Sequence, residues 1–141
     1  MALSEVRAPR TRFERRLDAL GAVFDWLDRW FDAGGFGEED RFALRLAAEE
    51  LFANAVRHNP AGSGGIDLEG HAHDGRATLV LTDHDADAFD PRSLPEPRVD
   101  APLSERTPGG LGIHLIRRMM DRIDYDHDGR RATTTIVRRL G

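Results

Sequence analysis

Glu50-Leu51-Phe52-Ala53-Asn54-Ala55-Val56-Arg57-His58 closes a run that opens on the acidic triplet Glu38-Glu39-Asp40 and is stopped by Asn59-Pro60. Acids at the start and a proline just past the end are the boundary signals of a helix, and Phe42, Leu46 and Ala53 supply its apolar positions. On that helix Glu50, Asn54 and His58 stand at successive four-residue steps and form one polar stripe. A carboxylate and an amide on a face suited to burial need partners. The competing reading is a solvated face, since Arg45, Glu49 and Arg57 are close by.

Working outward, Phe13, Leu17, Leu20, Phe24, Leu27 and Phe31 recur at helical spacing behind Thr11 as N-cap, and Gly34, Gly35 and Gly37 end that helix. A short strand is expected before it, near Val6. Downstream of the loop Ala61–Gly65, Ile66 to His73 reads as a strand, Asp74-Gly75 as a two-residue turn and Ala77 to Thr82 as the partner strand. From Asp83 to Pro108, Pro91, Pro95, Pro97, Pro102 and Pro108 break any long element. A loop of that length is usually functional. Gly109-Gly110-Leu111-Gly112 then opens a helix over Ile113 to Met120, followed by a strand about Ile123–Tyr125, a turn at Asp128-Gly129 and a strand from Ala132 to Val137. Helices on one face of a mixed, mostly antiparallel sheet are the natural outcome, an α+β two-layer sandwich over a single domain, residues 1–141.

Composition narrows the chemistry. The chain has 141 residues, a formal net charge of -5 and no Cys, and all 20 of its basic Lys/Arg residues are Arg. Thiolate metal sites, disulfides and Lys-based phosphate or Schiff-base chemistry are excluded. Arg is scattered without a basic stripe, so nucleic acid is not an expected partner. The opening MALSEVRAPR interrupts any signal-peptide core and no window suits a membrane span, so a cytoplasmic location is expected, with no membrane contact.

Several constellations are candidates for function. Glu50 suits a general base, and the Asn54 side-chain carbonyl a hard oxygen ligand for Mg²⁺, with Arg57 or His58 adding positive charge near phosphates. Gly109, Gly110 and Gly112 at a helix entry let the backbone approach an anion. Asp83, Asp85 and Asp87 suggest a calcium loop, but the sixth and twelfth positions are Ala88 and Leu94 instead of Gly and Glu. His71 and His73 share a strand face without a third zinc ligand in sight. Ser63 and Ser104 lie outside any nucleophile-elbow context.

In order and spacing, Glu50 through His58, then Asp83 through Phe89-Asp90-Pro91, then Gly109-Gly110-Leu111-Gly112-Ile113-His114-Leu115-Ile116, resemble the N, G1 and G2 boxes of the histidine-kinase-like ATPase superfamily with its Bergerat-type ATP-binding fold. The nearest likeness is to its small branch of anti-sigma regulatory serine/threonine kinases. That resemblance implies ATP held between helices and a lid at about residues 92–108. Glu50 matches the general base and Asn54 the Mg²⁺ ligand. Asp83 matches the carboxylate that accepts from the adenine amino group, and Gly110 and Gly112 the lid glycines that wrap the phosphates. Arg57, His58, Asp85, Phe89, Gly109, Leu111 and Ile113 complete the implied nucleotide site.

One departure is visible. The family pattern Asp-x-Gly reads Asp83-His84-Asp85 here, with one extra residue before Phe89. The adenine role is thus open between Asp83 and Asp85, and a carboxylate at position 85 must point away, bind the metal or weaken the site. The resemblance implies phosphorylation of an anti-sigma-factor antagonist and competing capture of a sigma factor. The alternative is a partner-sequestering module of the same fold that lacks ATP binding or catalysis. The ATPase half of a two-component histidine kinase is disfavoured, since the first helix carries no His. Trp26 and Trp30 offer an apolar face for a homodimer, or simply core.

Overall fold

The structure, a computed structural model, describes residues 5–87, 92 and 110–141, with the backbone alone for Gly110 and Leu111. The expected lid, Phe89 and Gly109 lie outside the described residues, Arg92 excepted. The elements run β1 (Val6–Phe13), α1 (Leu20–Gly34), α2 (Glu38–His58), β2 (Ile66–His73), β3 (Arg76–Asp83), α3 (Gly110–Met119), β4 (Arg122–Asp128) and β5 (Arg131–Arg139).

The first helix begins later than its spacing suggests. Thr11 and Phe13 belong to β1, paired with Leu68 and Ile66, and a single 3-10 turn at Leu17–Ala19 leads into α1. The Thr11 hydroxyl donates to the Pro9 carbonyl at 2.8 Å and caps no helix. The register of β1 shifts between Ala8 and Thr11, across Pro9, which has no N–H for the ladder. That bulge hides the two-residue alternation and leaves Phe13 in apparent helical phase with Leu17.

Five strands form one sheet in the order β1-β2-β3-β5-β4, and every pairing among the described residues is antiparallel. The β2–β3 hairpin turns at Asp74 and Gly75, both with positive φ (52° and 72°), as a two-residue turn matched to strand twist requires. The β4–β5 turn falls on Gly129-Arg130, one residue later than expected, because Asp128 still pairs with Arg131.

Ile66, Leu68, Ala72, Ala77, Leu79, Leu81 and Ile136 are buried at alternate positions on one sheet face and join Val23, Leu27, Phe31, Leu44, Phe52, Ile113 and Ile116 of the helices in one core. Trp26 and Trp30 belong to that core, 3% and 2% exposed, with their indole N–H groups donating to the carbonyls of Pro9 and Val6. They therefore offer no free face for pairing. On α2 the buried face is Ala43, Leu44, Ala47, Ala48, Leu51 and Phe52, whereas Phe42 is 65% exposed. The consequence for function is that α2 lies with one flank against β3 and the other against α3.

Candidate nucleotide site

Of the polar stripe of α2, Glu50 and Asn54 face inward where α2 meets α3, whereas His58 at its end is exposed. Glu50 lies against Gly112: a Cβ built on that glycine would stand 2.1 Å from Glu50 Cδ and 2.3 Å from Oε2. Only a residue without a side chain leaves room for the carboxylate against the first turns of α3. Glu50 Oε2 is buried without a hydrogen-bond partner, and the nearest cation, Arg57 Nη2, stands 4.0 Å away. Burial pushes the Glu50 carboxyl above its ordinary value, more than Arg57 lowers it, and Glu49 adds to the rise. A raised carboxyl is a stronger base at neutral pH.

One turn on, Asn54 is buried at 6% exposure. Its Oδ1 accepts from Arg57 Nη2 at 2.8 Å and its Nδ2 has no partner. Arg57 thus ties the base and the amide into one cluster. His58, expected as a cation near phosphates, is pushed below its ordinary value by burial and then by Arg57, so of the two Arg57 brings the positive charge at neutral pH.

Asn54 and His58 also line an open cleft whose walls include Leu51, Leu81, Asp83, Ala86, Tyr125, Ala132 and Thr134. Those lining residues come from α2, β3, β4 and β5 and from the segment after β3, so the sheet register builds the cleft. Asp83 points into it from the end of β3, at 4% exposure. Its carboxylate is held by a guanidinium that sequence reading did not single out. Arg15 Nη1 donates to Asp83 Oδ2 at 3.2 Å and to the Ala55 carbonyl at 3.3 Å, Nη2 donates to Oδ1, and Nε is buried without a partner.

Asp85 turns away from the cleft, which resolves where the extra carboxylate goes. Oδ1 accepts from Arg130 Nε and Nη2 at 2.9 and 2.7 Å, and Oδ2 from the Ser63 amide at 2.7 Å. Asn59 Nδ2 donates to the Asp85 carbonyl at 2.7 Å, and the Ala86 amide to the Arg130 carbonyl at 2.8 Å. The Ser63 amide and the Arg130 guanidinium together hold the Asp85 carboxyl down at about 2. Where glycine would give slack, Asp85 staples the segment after β3 to the loop after α2 and to the β4–β5 turn.

The remaining candidates separate. Gly110 opens α3 and Leu111 follows it, Ile113 is buried in the core at 2% exposure, and Gly112 serves Glu50. The sequence reading missed Arg15, Asn59, Tyr125, Arg130 and Thr134, and of these only Thr134, in the run Thr133-Thr134-Thr135, carried a local signal as an inward position of a strand. Among the described residues there is no cluster of three or more His, Asp or Glu able to cage a metal. A single amide oxygen beside bound phosphates is the donor set that Mg²⁺ accepts, since it keeps waters and shares phosphate oxygens. The orphaned Glu50 Oε2 and Asn54 Nδ2 fit a site completed by a polar ligand.

The helices lie on one sheet, Asn54, His58 and Asp83 line one cleft, and Glu50 stands one helical turn before Asn54; over residues 13–138 the chain matches the histidine kinase-like ATPase domain. The chain belongs to the histidine kinase-like ATPase family, and its similarities fall in the anti-sigma regulatory kinase branch. It is 30% identical over 98 residues to the serine-protein kinase RsbW of Halalkalibacterium halodurans, covering 67% of this chain and 60% of that protein. It is 32% identical over 87 residues to the serine/threonine-protein kinase BtrW of Bordetella bronchiseptica, covering 60% and 61%. The matches thus span about three fifths of these curated relatives. In fold it is similar to the structure of the RsbU and RsbW domains of Rv1364c from Mycobacterium tuberculosis, with TM-score 0.67 and 19% identity over 94% of this chain and 32% of that one. It is also similar to the Acinetobacter baumannii histidine kinase AdeS, with TM-score 0.55 and 16% identity over 94% and 68%.

Proposed function

We propose that this protein is an ATP- and Mg²⁺-dependent serine/threonine protein kinase of the anti-sigma-factor type, which phosphorylates a small antagonist protein and binds a sigma factor in a competing complex. The observation that carries this reading is the pair of orphaned buried atoms one helical turn apart, Glu50 Oε2 and Asn54 Nδ2, beside the cleft. The names of the relatives support the substrate class. Among the described residues no helix is long and apolar enough to cross a membrane, and a cytoplasmic single-domain protein is part of the proposal.

In this reading the adenine lies among Leu51, Leu81, Ala86 and Ala132, with Asp83 as its polar reader. Those apolar walls exclude water and fix the base, so the phosphates run toward Asn54, Arg57 and the entry of α3. Mg²⁺ held at Asn54 Oδ1 would neutralise charge on the phosphates. Arg57, 2.8 Å from that oxygen, orients the amide and adds a fixed positive charge. Glu50 Oε2 accepts the proton of the attacking Ser or Thr hydroxyl as its oxygen bonds the γ-phosphorus and the bond to the bridging oxygen of ADP breaks. Catalysis is then positioning and electrostatics, with no covalent enzyme intermediate.

The departure at Asp85, where the family pattern has glycine, favours a second reading, in which the cleft binds no ATP and the fold only sequesters a partner. Incubation with γ-labelled ATP, Mg²⁺ and candidate small antagonist proteins decides between them. The kinase reading expects alkali-labile label on Ser or Thr of one candidate, lost in Glu50→Gln. Transfer that persists in Glu50→Gln would refute the role of the base, and absence of nucleotide binding would leave the sequestering module.

A further inference from the structure

Asp83 lines the cleft, while Arg15, which grips its carboxylate, does not. Both partners are buried, with side-chain exposures of 3% for Arg15 and 6% for Asp83. Oδ1 accepts from Arg15 Nη2 and from the Asp85 amide at 3.0 Å, and Oδ2 accepts from Arg15 Nη1 at 3.2 Å. Each carboxylate oxygen offers two acceptor positions, so Oδ1 is saturated and Oδ2 keeps one. The two-point contact with a planar guanidinium also fixes the plane of the carboxylate.

We infer that Arg15 is a positioning residue that sets base specificity: by filling the rear of Asp83 it leaves one acceptor facing the cleft, which takes a purine bearing a ring amino group and rejects one bearing a carbonyl there. The inference rests on the nucleotide reading above and deepens it. The guanidinium also donates from Nη1 to the Ala55 carbonyl, and Arg15 is not among the residues that line the cleft, so the pair presents an acceptor and no donor there. Without Arg15 the buried carboxylate keeps only the Asp85 amide; its plane is no longer fixed, and it can turn its oxygen away from the carbonyl of the wrong base. Specificity is a difference of affinities, and here its repulsive half is a fixed carboxylate oxygen facing the carbonyl of the wrong base.

The test is titration of the full chain, with Mg²⁺, by ATP and by inosine triphosphate, which carries a carbonyl in place of the amino group, for wild type, Arg15→Met and Arg15→Lys. Wild type is expected to prefer ATP by about tenfold or more, the scale of one hydrogen bond to a charged group. In Arg15→Met the preference falls toward unity, and in Arg15→Lys, which keeps a cation without the two-point contact, it lands between. A purely structural role for Arg15 would weaken both triphosphates by one factor and leave their ratio intact; a folded Arg15→Met with the wild-type ratio therefore overturns the inference. Should Arg15→Met fail to fold, the ratio in Arg15→Lys decides in the same way. A wild type that binds both triphosphates equally also overturns it while leaving the nucleotide site standing, whereas a wild type that binds neither removes the nucleotide reading and the inference with it.

Discussion

Gly112→Ala separates the chemistry of Glu50 from the stability of the fold. The added Cβ would fall 2.1 Å from Glu50 Cδ, 2.3 Å from Oε2 and 2.6 Å from Cγ, where carbon atoms in contact keep about 3.5–4.0 Å. Methyl and carboxyl cannot both keep their places. Two stability effects oppose each other: Ala in a helix interior gains about 1 kcal/mol over Gly, and overpacking costs about 1–3 kcal/mol. What has to move is the end of a flexible side chain, 23% exposed, so the overpacking cost stays at its low end and the two nearly cancel. The melting temperature should then shift by no more than roughly 4 °C. Glu50, however, is driven from its seat, and the loss of a positioned general base costs about 10²–10⁴-fold in rate. Thermal melts run beside ADP release from ATP without acceptor protein read both quantities. A folded Gly112→Ala with wild-type turnover would refute the claim that Glu50 acts from its place against α3, and a variant that does not fold would refute the cancellation.

Three further outcomes follow from the same contacts. Because burial raises the Glu50 carboxyl, its protonated form favours folding and that contribution is lost as pH rises through the raised value; Glu50→Gln should melt above wild type at about pH 7.5, with the gap closing in acid, and a lower melting point at neutral pH would contradict this. Asp85 is held down at about 2, so its contribution is present above the ordinary carboxylate value of about 3.9 and disappears as pH falls toward 2; differential melts of wild type and Asp85→Asn should converge across that window, and a constant gap would sink the staple. Asp40, 4% exposed, accepts from Arg138 Nε at 2.8 Å and from the Gly141 amide at 3.1 Å. Asp40→Ala leaves Arg138 the Met119 carbonyl at 2.7 Å and Glu39 at 3.9 Å but removes its buried carboxylate, and should lower stability by about 1–3 kcal/mol in urea unfolding; a change below about 0.5 kcal/mol would show that the pair is solvent-screened.

What the sequence made legible was local. The Asp74-Gly75 hairpin was readable because two positive-φ positions leave few residue choices, and the Glu50-Asn54 stripe because four-residue spacing survives any tertiary arrangement. The start of α1 was not, because the Pro9 bulge breaks the alternation of β1 and lets Phe13 pass for a helical position. Arg15 carried no signal at all: its partner Asp83 is 68 residues away, and one Arg in the run Arg10-Thr11-Arg12-Phe13-Glu14-Arg15-Arg16 reads like the others. The direction of Asp85 likewise depends on Ser63 and Arg130, which only the sheet register brings to it.

The most direct test of the central claim is calorimetric titration of the protein with ATP, with and without Mg²⁺, for wild type and Asn54→Ala. The account predicts that wild type binds ATP more tightly with Mg²⁺, and that Asn54→Ala, which removes the amide oxygen now held 2.8 Å from Arg57, binds with the Mg²⁺ dependence gone. No heat of binding in wild type, or an undiminished Mg²⁺ dependence in a folded Asn54→Ala, would contradict it.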